Sequence, residues 1–359
     1  MDRTEVDMDS GQGKRIIVVG AGIVGASLAY HLARRGAQVT VVEAEEIASG
    51  VTGRSFAWIN TSHPEPDPIA PLRRAAIEEY RRLETQVPDL QIRWTGALSY
   101  GVTSGDAPPA NRVTRSQILD LEPNLKNPPQ SAGFAAQEGA LDAVAASHAL
   151  IAGAEAHGAN ILTQTRVLGF VTQAERVTAV ETTQGTLHAD VVVLAAGTAT
   201  AKLTELLGAP LPINASPAIS IRYTAPPNLV HTLISSPDME VRQSADGALL
   251  AAEDYLDDTA ENQPAAIARR TAQAIQNALH GAESLEPEWA CIGLRPMPAD
   301  GVPVIGYLPD VGGVYVCAMH PGVVLAAVVG RLVSEEIVGG KVDGELGPFR
   351  PGRFFQAYV

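Results

Sequence analysis

The first alternation of apolar and polar positions along the chain predicts a strand, a helix and a second strand in quick succession. Arg15–Val19 is a run of Ile and Val typical of a short buried strand. Residues 23–35 have helical character and stop at Gly36, and Gln38–Val42 is a second apolar run of strand type. Together they predict a βαβ unit of about 30 residues.

Further helical and strand-like patterns of apolar residues follow along the chain, separated by segments without a regular pattern. Helical spacing of apolar residues predicts helices over residues 72–87, 143–157 and 264–280, with one more closing the segment 293–339. Strand-like apolar runs are found at 191–194, 219–224 and 248–251. The strongest α/β signals therefore lie at the start, the middle and the end of the chain, and two blocks of different character interrupt them.

Composition bounds the class of protein. The chain has 359 residues, is 46% hydrophobic and carries a formal net charge of -14, so a large core is available and nucleic acid is not expected as a partner. The two cysteines, Cys291 and Cys317, fit no zinc or CxxC spacing, which favours a cytoplasmic location. Glycine and proline break the apolar stretch 311–329, so we expect a strand, turn and helix there rather than a membrane span.

A glycine-rich turn between the first strand and the first helix carries the clearest chemical signal. It fits GxGxxG, and Glu43 ends the next strand, which is the context that dinucleotide binding requires. Glycines allow the tight turn and the close approach of the pyrophosphate, and the carboxylate accepts bonds from ribose hydroxyls. The fingerprint alone leaves NAD and FAD open. The residues of the turn are Gly20, Ala21, Gly22, Ile23, Val24 and Gly25.

We predict an α/β fold in which a Rossmann-type dinucleotide-binding domain is assembled from discontinuous segments, with an inserted α+β substrate domain that contains an antiparallel sheet. The segments of the first domain are 14–65, 138–208 and 290–359, and those of the second are 66–137 and 209–289. The polar stretch 1–13 is expected to be a disordered lead-in, without the apolar core of a signal peptide.

Several segments resemble the D-amino-acid oxidase superfamily of flavoenzymes, which includes glycine oxidase and sarcosine oxidase. They are the glycine-rich start, the loop Ser49 to Ser55, the turn Glu138 to Asp142, the run Asp190 to Gly197, the segment Gly293 to Gly306 and the segment His320 to Ala326. The resemblance implies that the Rossmann-type domain is an FAD-binding domain that holds FAD non-covalently, and that Cys291 is a structural cysteine. The further FAD contacts that it implies are Ala44, Thr52, Gly53, Arg54, Ser55, Val167, Ala196, Gly197, Arg295, Pro321, Gly322, Val323 and Val324.

The same resemblance implies oxidation of an amine, with hydride leaving the carbon next to nitrogen for flavin N5 and the imine hydrolysing in water. Arg295, in the Leu-Arg-Pro motif, is expected to pair with a substrate carboxylate, since a guanidinium offers two parallel donors and stays charged; the alternative is an arginine that braces its loop. Arg242 reaches the site or lies on a solvated strand. His320 lies near the flavin or in the core.

The sequence is compatible with more than one electron acceptor and more than one kind of assembly. The leading hypothesis is an amine or amino-acid oxidase that reduces oxygen to peroxide. A second is a dehydrogenase, or one subunit of a hetero-oligomer, with another acceptor. A nicotinamide-dependent dehydrogenase and a catalytically silent FAD-binding interaction module complete the alternatives. The expected ligands are a small amine or amino acid and an electron acceptor; self-association is left open.

Overall fold

A computed structural model describes residues 13–61, 67–101 and 111–355 of the chain. Residues 1–12 of the predicted lead-in and the predicted domain boundary at residues 65 and 66 lie outside the described residues.

The strands of the described residues form four sheets. In chain order the strands are β1 (Arg15–Val19), β2 (Gln38–Val42), β3 (Trp58–Ile59), β4 (Ala97–Ser99), β5 (Arg112–Thr114), β6 (Ser131–Ala135), β7 (Gly139–Ala140), β8 (Asn160–Leu162), β9 (Val167–Gln173), β10 (Arg176–Thr182), β11 (Gly185–His188), β12 (Val191–Leu194), β13 (Ile213–Thr224), β14 (Leu233–Ser235), β15 (Glu240–Gln243), β16 (Leu249–Asp254), β17 (Glu286–Pro298), β18 (Val304–Tyr307) and β19 (Val314–Ala318).

Helices pack on these sheets, and among the described residues no helix is long and apolar enough to cross a membrane. They are α1 (Ile23–Arg34), α2 (Ala70–Glu84), α3 (Arg115–Leu121), α4 (Ala143–Ala156), α5 (Ala199–Leu206), α6 (Pro264–Ala278) and α7 (Gly322–Gly339). Local signals explain several ends. Gly36 ends the turn after α1 with φ 86°, the Asp142 carboxylate accepts from two N–H groups in the first turn of α4, and Gly340 ends α7 with φ 66°.

The first sheet is six-stranded and has the order β18-β19-β12-β1-β2-β8. All of its neighbours pair in parallel except β18 with β19. Ile16 and Val18 of β1 belong to one hydrophobic cluster and Ile17 and Val19 to another, so this strand is covered on both faces, as parallel strands usually are. Segments from the start, middle and end of the chain thus meet in one sheet, which confirms the predicted Rossmann-type assembly.

The second sheet is eight-stranded, with the order β17-β13-β16-β15-β14-β4-β6-β5. Its neighbours are antiparallel except β4 and β14, which pair in parallel. One face packs on α6 through residues such as Ile221, Val241 and Ile275. β17 belongs to this sheet and pairs with β13 along its length, so Arg295 lies in the second sheet. A three-stranded sheet, β11-β10-β9, and the pair β3-β7 complete the set.

Helices α1 and α7 cross at close range on one side of the first sheet. The Ser27 hydroxyl donates to the carbonyl of Ala326 at 2.7 Å, and both helices contribute to the same buried cluster. A Cβ added at Gly330 would overlap Ser27 Oγ and lie 2.8 Å from His31 Cδ2. Gly330 therefore sets the distance between the two helices. α2 packs on α7 in the same layer, where the Tyr80 hydroxyl donates to the carbonyl of Val323.

We expect Gly330→Ala to lower the free energy of unfolding by about 1–3 kcal/mol, because a methyl group would push α1 away from α7. The matched control is Gly339→Ala in the same helix, where an added Cβ meets nothing within 4 Å; it should leave stability unchanged or raise it by up to ~1 kcal/mol through helix propensity. Urea unfolding of both variants with cofactor bound measures the difference. Equal stabilities would contradict the packing argument.

Candidate active site

A cavity of about 970 Å³ opens where the carboxyl ends of the parallel strands face the second sheet. Its lining includes the residues that follow β1, β2 and β12 on one side, and residues of β13, β15, β16 and β17 on the other. Ligands of open α/β sheets bind at this edge. The volume is at the upper end of the range for small-molecule sites, so it suits a large ligand.

Three glycine positions in the turn after β1 and at the start of α1 leave no room for a side chain. Gly20 has φ 106°, and a Cβ there would lie 2.5 Å from the carbonyl oxygen of Ala195. A Cβ at Gly25 would overlap the carbonyl oxygen of Gly20, and one at Gly22 would lie 2.9 Å from Thr52 Oγ1. The turn therefore presents bare backbone to the cavity, which is what the close approach of a pyrophosphate requires.

The N-terminus of α1 adds polarity to this turn. The helix begins after Gly22 with no acidic residue in its first turn, and the N–H of Ile23 donates to Thr52 Oγ1 at 3.1 Å. Gly22 and Ile23 line the cavity. Unsatisfied N–H groups and the helix dipole make such an end favourable for negative charge.

Glu43 is held at the end of β2 by two backbone donors. One carboxylate oxygen accepts from the N–H of Ala21 at 2.7 Å and the other from the N–H of Glu45 at 2.9 Å. A carboxylate has about four acceptor positions, so capacity remains for ribose hydroxyls. Bare glycine backbone, a helix N-terminus and a fixed carboxylate on one cavity wall fit the pyrophosphate and ribose of a dinucleotide such as FAD.

The structure brings most of the residues implied as FAD contacts to this one cavity. Ala21, Gly25 and Gly53 are not among the described lining residues; Ala21 and Gly25 are buried, and Gly53 is half-buried and donates its N–H to the carbonyl of Ala48 at 2.9 Å. The lining residues of the predicted set are Gly20, Gly22, Ile23, Val24, Glu43, Ala44, Thr52, Arg54, Ser55, Val167, Ala196, Gly197, Arg295, Pro321, Gly322, Val323 and Val324.

Arg295 lines the cavity from β17 and its guanidinium contacts only neutral groups. It donates to Ser216 Oγ at 2.9 Å, and more weakly to the carbonyls of Ser216 and Pro217 at 3.4 and 3.2 Å. Among the described residues it forms no ion pair with a carboxylate. A fixed cation that lacks a counter-charge at a cavity wall can bind an anionic group of a ligand.

The other two predicted substrate residues are placed differently. Arg242 is buried, with its guanidinium donating to the carbonyls of Phe56 and Leu141 at 2.6 and 3.0 Å, and it is not among the described lining residues. Burial lowers the pKa of Arg242 to about 10. His320 is half-buried and lines the cavity immediately before α7.

Glu240 is a lining residue that the sequence did not single out. It begins β15, two positions before Arg242, and its carboxylate forms no hydrogen bond or ion pair among the residues described. Burial, then Asp254 and Glu253, raise the pKa of Glu240 to about 7. The sequence signal for Glu240 was the alternation of strand side chains: residues two positions apart, such as Glu240 and Arg242, lie on the same face of a strand.

A polar wall closes the cavity near β3. Trp58, Asn60 and Arg73 line it. Trp58 Nε1 donates to the buried Glu138 at 2.8 Å, and buried Arg73 pairs with Asp67 at 3.1 Å. Because these side chains are already paired, the wall is preorganised rather than available for new ligands.

Comparison with known proteins agrees with this geometry. The sequence model of a family described as FAD dependent oxidoreductase matches residues 15–336. A glycine oxidase from Geobacillus kaustophilus is 26% identical over 93% of this chain and 95% of its own, and one of the subunits of an opine oxidase from Agrobacterium tumefaciens is 24% identical over 94% and 96%. The crystal structure of L-proline dehydrogenase from P. horikoshii superposes with a TM-score of 0.84 at 21% identity, covering 96% and 98% of the two chains, and shows the same fold.

We expect Gly25→Ala to weaken FAD binding at least about tenfold, because the added methyl group would displace the Gly20 carbonyl and reshape the pyrophosphate turn. Dialysis followed by titration of the apoprotein with FAD measures the dissociation constant. Gly347→Ala is the control, since a Cβ there meets nothing within 4 Å and lies outside the cavity lining. Equal FAD affinity in both variants would show that the turn tolerates a side chain.

Proposed function

Because the chain belongs to the family of FAD-dependent oxidoreductases, with FAD as cofactor, we propose that it oxidises an amine or amino acid at the carbon next to nitrogen. The observation that carries the proposal is Arg295, a cation without a carboxylate partner among the described residues, on the wall that faces the dinucleotide turn. Bound FAD would supply the hydride acceptor for this oxidation.

The names of similar proteins support this choice of chemistry. The glycine oxidase and the opine oxidase chain each match nearly the full length of this protein, and each name describes an oxidase of an amino compound. We infer that Arg295 binds the carboxylate of such a substrate. A guanidinium offers two parallel donors and keeps its charge when desolvated, so it fixes both the position and the orientation of the group.

The residues that would hold FAD divide by the part of the cofactor they meet. The glycine turn and the start of α1 would bind the pyrophosphate, and Glu43 the ribose. Arg54, Ser55 and the segment from Pro321 to Val324 line the rest of the cavity and would enclose the flavin. Because Val323 and Val324 contribute apolar surface there, they would limit the access of water to the reacting carbon. The imine product would hydrolyse in water after release.

For the electron acceptor we propose oxygen, which would be reduced to peroxide. The second candidate is a non-oxygen acceptor reached within a larger assembly, which the similarity to a protein named as one subunit of an opine oxidase favours. The two candidates share the reductive half of the reaction and differ only in what reoxidises the cofactor.

The proposal predicts that purified protein is yellow and that one class of amine bleaches it without air. Flavin absorbance is recorded anaerobically against D- and L-amino acids and N-methyl glycines, and air is then admitted. Rapid return of the absorbance with formation of peroxide identifies oxygen as acceptor, and slow return favours a partner acceptor. Bound flavin that no amine reduces would overturn the assignment of amine oxidation.

We expect Arg295→Gln to raise KM for a carboxylate-bearing substrate by about 30-fold or more, because removal of one partner of a desolvated charge pair costs roughly 2–5 kcal/mol. FAD content should not change. Arg222→Gln is the matched control, since Arg222 lies on the adjacent strand β13 but pairs with Glu288 and Asp246 away from the cavity. Steady-state kinetics with bound flavin quantified by absorbance separates the two effects. An unaltered KM would remove Arg295 from substrate binding.

A further inference from the structure

The side of the second sheet that faces the cavity has an acid at one end and an arginine at the other. We propose that the substrate carries a cationic group in addition to its carboxylate, and that Glu240 binds this cation while Arg295 binds the carboxylate. The inference rests on the proposed amine oxidation and narrows its substrate class to basic amino acids or amines with a second positive group.

The alternation of β-strand side chains places Glu240 on the cavity side. Val241, Ala251 and Ile219 belong to the hydrophobic cluster that packs on α6. Side chains alternate between the faces of a strand, so the neighbours Glu240, Ala252 and Ser220 point the other way. All three of these residues line the cavity.

Most side chains on the sheet face between the two charged residues are small; the exception is Asp254, which pairs with Ala218 on that face of β16 and is not among the described lining residues. Ala252 of β16, Ala218 and Ser220 of β13, and Gly293 of β17 line the cavity and leave the floor flat. β16 and β13 separate β15 from β17, and Arg295 pairs with Ser216, four residues along β13 from Ser220 in the row of Glu240, so the two backbones are about 20 Å apart, at about 4.8 Å per strand and about 3.4 Å per residue. Both side chains shorten that gap. An extended molecule with opposite charges at its ends fits such a floor.

No cationic side chain among the described residues pairs with the Glu240 carboxylate. Asp254 and Glu253 on the adjacent strand add negative charge, and none of the salt bridges formed by the described residues includes Glu240. Arg242 lies on the same face two positions later, but its guanidinium is bound to the carbonyls of Phe56 and Leu141. A neutral ligand would leave this carboxyl group uncompensated, whereas an ammonium or guanidinium group would pair with it.

Arginine and citrulline provide a matched test, because they have nearly the same shape and differ in side-chain charge. We expect the holoenzyme to show a kcat/KM for one enantiomer of arginine at least about tenfold above that for the same enantiomer of citrulline. Glu240→Gln should reduce this ratio to about threefold or less, through a loss of kcat/KM with arginine. Ornithine against norvaline repeats the comparison with an ammonium group.

The control variant is Glu253→Gln. Glu253 is the neighbour of Ala252 on β16, but it faces α6, where its carboxylate accepts from the Thr271 hydroxyl at 2.7 Å. Glu253→Gln removes the same charge close to Glu240 without changing the lining of the cavity, so the preference for arginine should persist. A ratio near one in the wild type, or a preference that survives Glu240→Gln, would overturn the assignment of Glu240. The wild-type ratio needs no variant and is decisive even if Glu240→Gln fails to fold.

A second readout separates this inference from the proposed function. Anaerobic titration with arginine and citrulline measures binding from the perturbation of the flavin absorbance, without turnover. If no amine reduces the flavin but arginine binds at least about tenfold more tightly than citrulline and Glu240→Gln abolishes the difference, amine oxidation is wrong and the cation site stands. If oxidation proceeds with no preference for charge, the function stands and the cation site is wrong. If neither ligand binds, the cation site is wrong, and the wider panel of amines alone decides whether the function stands.

Discussion

The cavity depends on the close approach of two backbone segments at Gly20. The N–H of Gly20 donates to the carbonyl of Val42 at 2.9 Å, and the N–H of Ala195 donates to the carbonyl of Val19 at the same distance. These two hydrogen bonds hold the ends of β1, β2 and β12 together. A side chain at residue 20 would meet the Ala195 carbonyl. The starting point of α1 and the position of the Glu43 carboxylate both follow from this contact, because each is fixed relative to the turn.

The two sheets have separate roles around the cavity. The first sheet contributes mainly backbone donors and one carboxylate, which suit the constant part of a cofactor. The second sheet contributes side chains on one face, and a substitution there would not alter the apolar face packed on α6. The proposed substrate residues Glu240 and Arg295 can therefore be replaced while the core stays the same. This separation is a physical basis for different chemistries on one fold.

The βαβ start was predictable from the sequence because all of its determinants are local: β1 and β2 have the predicted bounds, and the glycines and Glu43 are spaced by the unit itself. Arg295 was found through a family motif. Alternation with Arg242 puts Glu240 on a definite face of β15, but which face meets the cavity depends on the pairing of β15 with β14 and β16, and β14 in turn pairs with the distant β4. Such pairings are set by tertiary contacts, which no local pattern records. The predicted domain boundaries stay predictions.

The interleaving of the first sheet has a consequence for protein synthesis. β1 emerges from the ribosome early, but its neighbour β12 follows much later, and β19 and the lining segment from Pro321 to Val324 come later still. A nascent chain therefore has no complete cavity until nearly all of the residues described have been made. Cofactor capture is then a late event, and a chain truncated before α7 would lack part of the cavity wall even if its glycine turn had formed.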